Sequence, residues 1–184
     1  PMDVTRSDIE KESLRGYTPK TENHRDQSEK FTETLQALLG NAKYPCLILG
    51  NGIKRKELLP LVKRVVDHLG IPYMTSMISF DILGNHPLFF GFLGASGKRY
   101  ANFIAAKSDL IISVGSRLDI RQVGVNREKF APEANIIRVD IDEGELEYKL
   151  HESEYGFCMN AEDALHIMES MKLERDYSHW NSVC

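Results

Sequence analysis

The chain has 184 residues, of which 42% are hydrophobic, and its 23 basic and 27 acidic side chains give a formal net charge of −4. This composition supports one domain with a sizeable core and additional tails. It argues against nucleic acid as the main partner, because neutralising phosphates requires clustered Lys and Arg. The basic run Lys54–Lys56 is too short to change this, and we interpret it as the solvated start of a helix.

The three cysteines, Cys46, Cys158 and Cys184, do not have the number or spacing of a disulfide framework. A reducing compartment is therefore expected, and we predict a cytoplasmic location. No apolar run approaches the ~20 residues that a membrane-spanning helix needs. The first residues also lack the charged-then-apolar order of a signal peptide, so we expect no membrane partner.

Residues 1–27 are polar and dense in charge, and we interpret them as a linker or surface extension. Ser28 is predicted to cap a first helix, which has its apolar residues on one stripe and ends at Gly40–Asn41. Strand and helix patterns then alternate. The predicted strands are Pro45–Leu49, Ile71–Thr75, Leu110–Val114, Ile136–Val139 and Tyr155–Cys158. The predicted helices are Leu58–Leu69, Lys98–Lys107, Glu143–Lys149 and Ala161–Met171.

The predicted strands are short, continuous apolar runs, which are typical of a sheet covered on both faces. Their alternation with helices favours right-handed crossovers and parallel pairing. We therefore predict a three-layer, doubly wound, Rossmann-like α/β fold with a mainly parallel sheet. Ligands bind such folds at the carboxyl ends of the strands, which directs attention to the loops after Leu49, Thr75, Val114 and Val139. The segment 76–97 is predicted to be a loop, because glycine and proline interrupt it repeatedly.

The turn Gly50-Asn51-Gly52 joins a strand to a helix. Glycine at these positions permits positive φ and lets a backbone N–H approach an anion. The dinucleotide fingerprint also needs a third glycine where Arg55 stands, so the motif is incomplete. A tight turn that holds no ligand is the alternative.

A second glycine cluster, Gly91–Gly97, precedes the helix that is predicted to begin near Lys98. Free amide groups at such a helix start suit a phosphate or a polar ring edge. The alternative is a mobile loop that needs glycine only for its path.

The run Gly115–Gly124 leaves a buried strand at the expected ligand edge. Within it, Arg117, Asp119 and Arg121 can bind phosphate and also fix one another. A structural ion-pair cluster or a contact with another domain explains them equally well. After the next strand, Asp140 can accept hydrogen bonds from ribose hydroxyls, whereas Asp142 is predicted to cap the following helix.

The six histidines are scattered and have no metal-ligand spacing with Cys, Asp or Glu. The sequence contains no Gly-x-Ser-x-Gly elbow and no phosphate-binding P-loop. We therefore predict neither a catalytic set nor a metal site within this chain.

Five blocks follow one another along the chain: Pro45–Gly52, Gly70–Met77, His86–Asn102, Ser108–Arg121 and Val139–Asp142. In this order and spacing they resemble the central domain of the acetolactate synthase family of thiamine diphosphate-dependent enzymes. The resemblance covers about Tyr44–Met171. At the ends, Pro1–Val4 resembles the exit from the family's pyrimidine-binding domain, and Tyr177–Trp180 resembles the lead-in to its pyrophosphate-binding domain.

The resemblance implies three segments: an extension over residues 1–27, a central α/β domain over 28–172, and the start of a linker over 173–184. It implies a parent enzyme, a transferase or lyase that acts on a 2-keto acid or related carbonyl compound. Thiamine diphosphate and magnesium would be held by the flanking domains, outside this chain, so the fragment would not be catalytic alone. The full-length parent would be a homodimer or homotetramer.

In this family the central domain binds FAD, binds ADP or binds nothing. The sequence departs from the family pattern at Asn51, Ser96, Ile120 and Met159-Asn160. Carried over position by position, the candidate cofactor contacts are Gly50, Gly52, Met77, Gly94, Ser96, Gly115, Arg117, Asp119, Arg121, Asp140 and Ile141.

Two other functions fit the same pattern. One is a free-standing nucleotide-binding module, such as an NAD-dependent deacetylase-like domain, which would need a histidine in the ligand crevice. The other is a ligand-free interaction domain.

Overall fold

The structure, a computed structural model, describes residues 2–16, 26–173 and 175–184. Its strands are β1 (Pro45–Leu49), β2 (Tyr73–Thr75), β3 (Phe89–Phe92), β4 (Leu110–Val114), β5 (Asn135–Asp140) and β6 (Glu154–Cys158). Its helices are α1 (Met2–Thr5), α2 (Ser28–Asn41), α3 (Leu59–Leu69), α4 (Arg99–Lys107), α5 (Ile120–Val123), α6 (Glu143–Glu147), α7 (Ala161–Ser170) and α8 (Ser178–Val183).

The six strands form one sheet in the order β3-β2-β1-β4-β5-β6. Every neighbouring pair is parallel. The strand order reverses between β1 and β4, and this switch point is where doubly wound sheets open a crevice for a ligand. The predicted fold class is confirmed.

Successive residues of β1 point to opposite faces of the sheet, as the period of a strand requires. Leu47 and Leu49 join the core beneath α2, α3 and α7, whereas Cys46 and Ile48 join a second core beneath α4. All five residues of β1 and of β4 are buried, which explains why the continuous apolar runs predicted these strands correctly.

Two local predictions were wrong. Phe89–Phe92 is an edge strand and not a loop; it is only half-buried and pairs on one side with β2, so its sequence lacks the buried-strand pattern. Ser28 begins α2 but does not cap it, because Gln27 occupies the cap position and the Ser28 N–H donates to Asp26 Oδ1 at 3.0 Å. By contrast, Gly70 ends α3 in the left-handed conformation, with φ of 59°.

The C-terminal segment lies against the amino end of the sheet. Tyr177 and Trp180 are buried, and the Trp180 Nε1–H donates to Pro45 O at 2.9 Å. Tyr177 donates to Leu39 O at 2.8 Å, and Asn181 donates to Gly70 O at 2.7 Å. The predicted linker is therefore docked onto the domain over the part that the structure describes.

The predicted N-terminal extension lies outside the described residues over positions 17–25. Residues 5–16 are exposed. In the described ranges, no helix combines the length and the apolar character that crossing a membrane demands.

Candidate functional site

A cavity of about 760 Å³ opens at the carboxyl edge of the sheet, where β1 and β4 end. This is the switch point of the strand order, as expected for a ligand site in this fold. Its walls come from the loops after β1, β2, β4, β5 and β6 and from the segment after β3. It is lined by Asn51, Gly52, Arg55, Ser76, Met77, Ile78, Phe92, Leu93, Ala95, Ser96, Gly115, Ser116, Arg117, Asp119, Arg121, Gln122, Asp140, Ile141, Met159, Asn160 and Ala161.

The floor of the cavity depends on glycines that bring two loops into backbone contact. A Cβ on Gly50 would lie 2.0 Å from Gly115 O, so no larger residue fits there. The Gly50 N–H donates to Val114 O at 2.9 Å and the Gly52 N–H donates to Gly115 O at 3.0 Å. Since both amides are already bonded, they do not point at an anion. Gly50 and Gly52 also lack positive φ, which favours the alternative of a tight turn that holds no ligand.

The second glycine cluster also serves to bring loops together. Gly94 has φ of +113°, and a Cβ there would lie 2.1 Å from Arg121 O. The Asn102 side chain accepts from the Gly94 N–H at 2.9 Å and donates to Gly94 O at 3.0 Å. This clamp holds the following residues, Ala95 and Ser96, in the cavity wall.

Three arginines stand on the rim of the cavity, and each has a carboxylate neighbour. Arg117 Nε lies 3.4 Å from Glu145 Oε1, and Arg55 Nη2 lies 3.3 Å from Glu162 Oε2. Arg121 Nε lies 4.0 Å from an oxygen of Asp119, the residue that caps α5. The Arg117 side chain is 68% exposed and that of Arg121 is 80% exposed, so these pairs are weak and open to exchange.

The β5 edge of the cavity carries two aspartates with different roles. Asp142 caps α6 by accepting the Gly144 N–H at 2.9 Å, as predicted. Asp140 lines the cavity, and its Oδ1 accepts the Asp142 N–H at 3.0 Å. A carboxylate has further acceptor sites, so Asp140 can still receive hydrogen bonds from a ligand.

Comparison with known proteins identifies the family. The sequence model described as "Thiamine pyrophosphate enzyme, central domain" matches residues 32–168. This chain belongs to that family.

Curated relatives agree with this assignment. The chain is 30% identical to the acetolactate synthase large subunit of Corynebacterium glutamicum over 98% of its own length and 30% of the relative. It is 30% identical to the acetolactate synthase isozyme 1 large subunit of Escherichia coli, over 85% of this chain and 27% of that protein. The chain therefore spans less than a third of the length of these relatives.

A solved structure supports the fold. It is a thiamin diphosphate-dependent enzyme from Mycobacterium smegmatis, described as putative, which aligns with a TM-score of 0.64 and 18% identity. The alignment covers 85% of this chain and 30% of the other one.

Within this central domain, nine of the eleven residues predicted from the sequence line one cavity. The two others, Gly50 and Gly94, lie behind its wall and act by close backbone packing. Arg55, which we had placed on a solvated helix start, also lines the cavity. So does Gln122, which stands within the Gly115–Gly124 run but was not among the predicted contacts.

Gln122 is held by Ser116, which is itself buried. The Ser116 hydroxyl donates to Gln122 Oε1 at 2.9 Å and accepts the Leu118 N–H at 3.4 Å. This arrangement leaves Gln122 Nε2 buried without a hydrogen-bond partner among the described residues. A buried donor without a partner is an energetic cost to the folded domain.

The central domain offers no metal centre in the parts that the structure describes, since no three His, Cys, Asp or Glu side chains come together there.

Proposed function

We propose that this chain is the central domain of an acetolactate synthase-like, thiamine diphosphate-dependent enzyme, and that its cavity binds the ADP moiety of FAD or ADP itself. The observation that carries the proposal is the position of the cavity at the strand-order switch point, with three exposed arginines on its rim. Such a position, with cationic groups around an open cavity, suits an anionic nucleotide.

The residues present fit a nucleotide. The volume of about 760 Å³ lies in the range of small-molecule sites. Arg55, Arg117 and Arg121 supply donors for phosphate oxygens, and Asp140 supplies an acceptor for ribose hydroxyls. Met77 and Ile141 are 47% and 55% exposed at the mouth and offer an apolar surface to a ring.

For the parent protein we propose a transferase or lyase that acts on a 2-keto acid or related carbonyl substrate. Thiamine diphosphate and magnesium would lie in flanking domains, and the parent would form a homodimer or homotetramer. The names of the relatives and the fraction of their length that this chain covers support this proposal. The full-length parent, assayed with pyruvate, thiamine diphosphate and magnesium, should release carbon dioxide. A parent without a Gly-Asp-Gly…Asn segment downstream of this domain would contradict it.

Calorimetric titration of the chain with ADP, FAD and NAD tests the cavity. We expect saturable binding of ADP or FAD, and Arg117→Ala should weaken it roughly tenfold, because a charge-assisted hydrogen bond to phosphate is lost. Arg64→Ala is the matched control, since Arg64 pairs with Glu169 between α3 and α7, away from the cavity. Equal affinity in both variants would contradict the proposed role of Arg117.

A ligand-free interaction domain is the second candidate, and one observation favours it. Each rim arginine already has a carboxylate within 4.0 Å, so the cluster can be structural. The absence of binding to any of the three nucleotides would support this candidate and overturn the proposed nucleotide binding.

A further inference from the structure

The carboxylate of Glu145 faces the cavity rim from α6 and lies 3.4 Å from Arg117 Nε. We infer that Glu145 competes with the anionic ligand for Arg117 and so sets the affinity of the site. This inference rests on the proposed function, because it assumes that Arg117 contacts a phosphate. Glu145 would thus weaken ligand binding at this site, whereas the other residues named there would strengthen it.

The main chain of Glu145 is fixed by a buried cation. Arg138 on β5 is only 2% exposed, and its Nη2 donates to Glu145 O at 2.6 Å and to Tyr148 O at 3.2 Å. Arg138 Nε lies 3.0 Å from Glu154 Oε1, so the cation is itself neutralised on β6. The helix α6 is therefore anchored to the sheet.

Two further contacts on β6 complete this anchor. The Leu150 N–H, just beyond α6, donates to Glu154 Oε2 at 2.7 Å. Leu146 of α6 lies over Gly156, where an added Cβ would make an ordinary van der Waals contact with it at 3.4 Å. Because the helix is held in this way, a ligand exchanges with the Glu145 side chain and does not displace α6.

The competition follows from the shared chemistry of the two acceptors. Carboxylate and phosphate oxygens both accept N–H donors of a guanidinium, so a phosphate that binds at the Nε edge of Arg117 takes the place of the Glu145 carboxylate. The Arg117–Glu145 pair is partly exposed, with side chains 68% and 31% accessible, so the internal pair is weak and reversible. A nucleotide can displace the carboxylate, but it loses part of its binding free energy in doing so.

Titration of the chain with ADP tests this inference. Glu145→Gln should tighten ADP binding roughly two- to fivefold, the range expected for removal of an exposed ion pair. Glu147→Gln is the matched control, because Glu147 is exposed on the same helix and the substitution removes the same charge. The change in the logarithm of the ADP dissociation constant should be less than about half of that caused by Glu145→Gln. Equal effects, or weaker binding by Glu145→Gln, would overturn the inference.

A double-mutant cycle connects the effect to its partner. In an Arg117→Ala background, Glu145→Gln should no longer tighten ADP binding, because the guanidinium for which the carboxylate and the phosphate compete is absent. Retention of the full effect in that background would also overturn the inference. If Arg117→Ala weakens binding and Glu145→Gln does not tighten it, the inference fails and the proposed function stands. If neither the wild type nor Glu145→Gln binds ADP or FAD, both fail.

Discussion

At the amino end of the sheet, the C-terminal segment donates side-chain hydrogen bonds to main-chain carbonyls, whereas at the carboxyl end three arginines stand exposed around a cavity. Trp180, Tyr177 and Asn181 satisfy carbonyls at or shortly before the first residues of β1 and β2. These carbonyls include one in the last turn of α2 and that of Gly70, where α3 ends, and groups at such positions otherwise lack partners.

The carboxyl end has the opposite character. Its arginines form only exposed pairs with carboxylates, and Gln122 Nε2 has no partner among the described residues. The amino end thus uses side chains of the C-terminal segment to satisfy main-chain carbonyls, with Asn181 Oδ1 itself unpartnered among the described residues, whereas the carboxyl end leaves arginines exposed around the cavity. Changes at the amino end should therefore alter stability, whereas changes at the carboxyl rim should alter binding.

The largest expected effect is at the amino end. Trp180→Ala should lower the free energy of unfolding by about 3–4 kcal/mol, because it removes a buried ring and the hydrogen bond to Pro45 O. Trp180→Phe keeps most of the apolar surface and should cost about half as much. Urea denaturation measures both, and ADP affinity should stay within about twofold of wild type. A loss below about 1 kcal/mol in Trp180→Ala would show that the segment is only loosely attached.

The next variant should alter both stability and binding, because Gly50 lies under the cavity and not on its rim. Gly50→Ala should lower stability by about 2–3 kcal/mol, since its Cβ would meet Gly115 O at 2.0 Å. It should also weaken ADP binding, because the loops after β1 and β4 must separate. Gly40→Ala is the control: nothing lies within 4 Å of its Cβ, and it should stabilise α2 by about 0.5 kcal/mol. Equal stability of the two variants would contradict the close packing of the loops.

Much of the fold could be predicted because its determinants are local. Continuous apolar runs marked β1 and β4, since each is buried on both faces. The edge strand Phe89–Phe92 escaped prediction because its half-burial leaves no such run and Gly91 interrupts it. The location of the cavity was predictable too, because it follows from the order of parallel strands.

The roles of individual site residues were harder to predict from the sequence, since they depend on contacts between distant segments. Gly50 meets Gly115, and Arg117 meets Glu145, only after the strands have paired. No local pattern tells a glycine that packs against backbone from one that approaches a phosphate. Gln122 gave no signal of its own, because its significance comes from the buried hydroxyl of Ser116.

The last effect is a dependence of stability on pH, and it concerns the amino half of the sheet, where Cys46 is buried on β1. Burial raises the pKa of the Cys46 thiol from 9.0 to about 12. Above pH 9 the unfolded chain therefore loses this proton while the folded chain keeps it, so stability falls as pH rises from about 9 to 12. The slope from one such group approaches about 1.4 kcal/mol per pH unit.

Urea denaturation of wild type and Cys46→Ala at pH 7 to 11 measures this contribution. The variant should be less stable at neutral pH because it leaves a small cavity, but its stability should fall less steeply above pH 9. Subtracting the two curves removes the shared titration of other groups. Parallel plots of unfolding free energy against pH would mean that water reaches the Cys46 thiol in the folded chain. Wild-type stability falling more steeply above pH 9 would confirm that this half excludes charge, whereas the carboxyl rim is built to receive it.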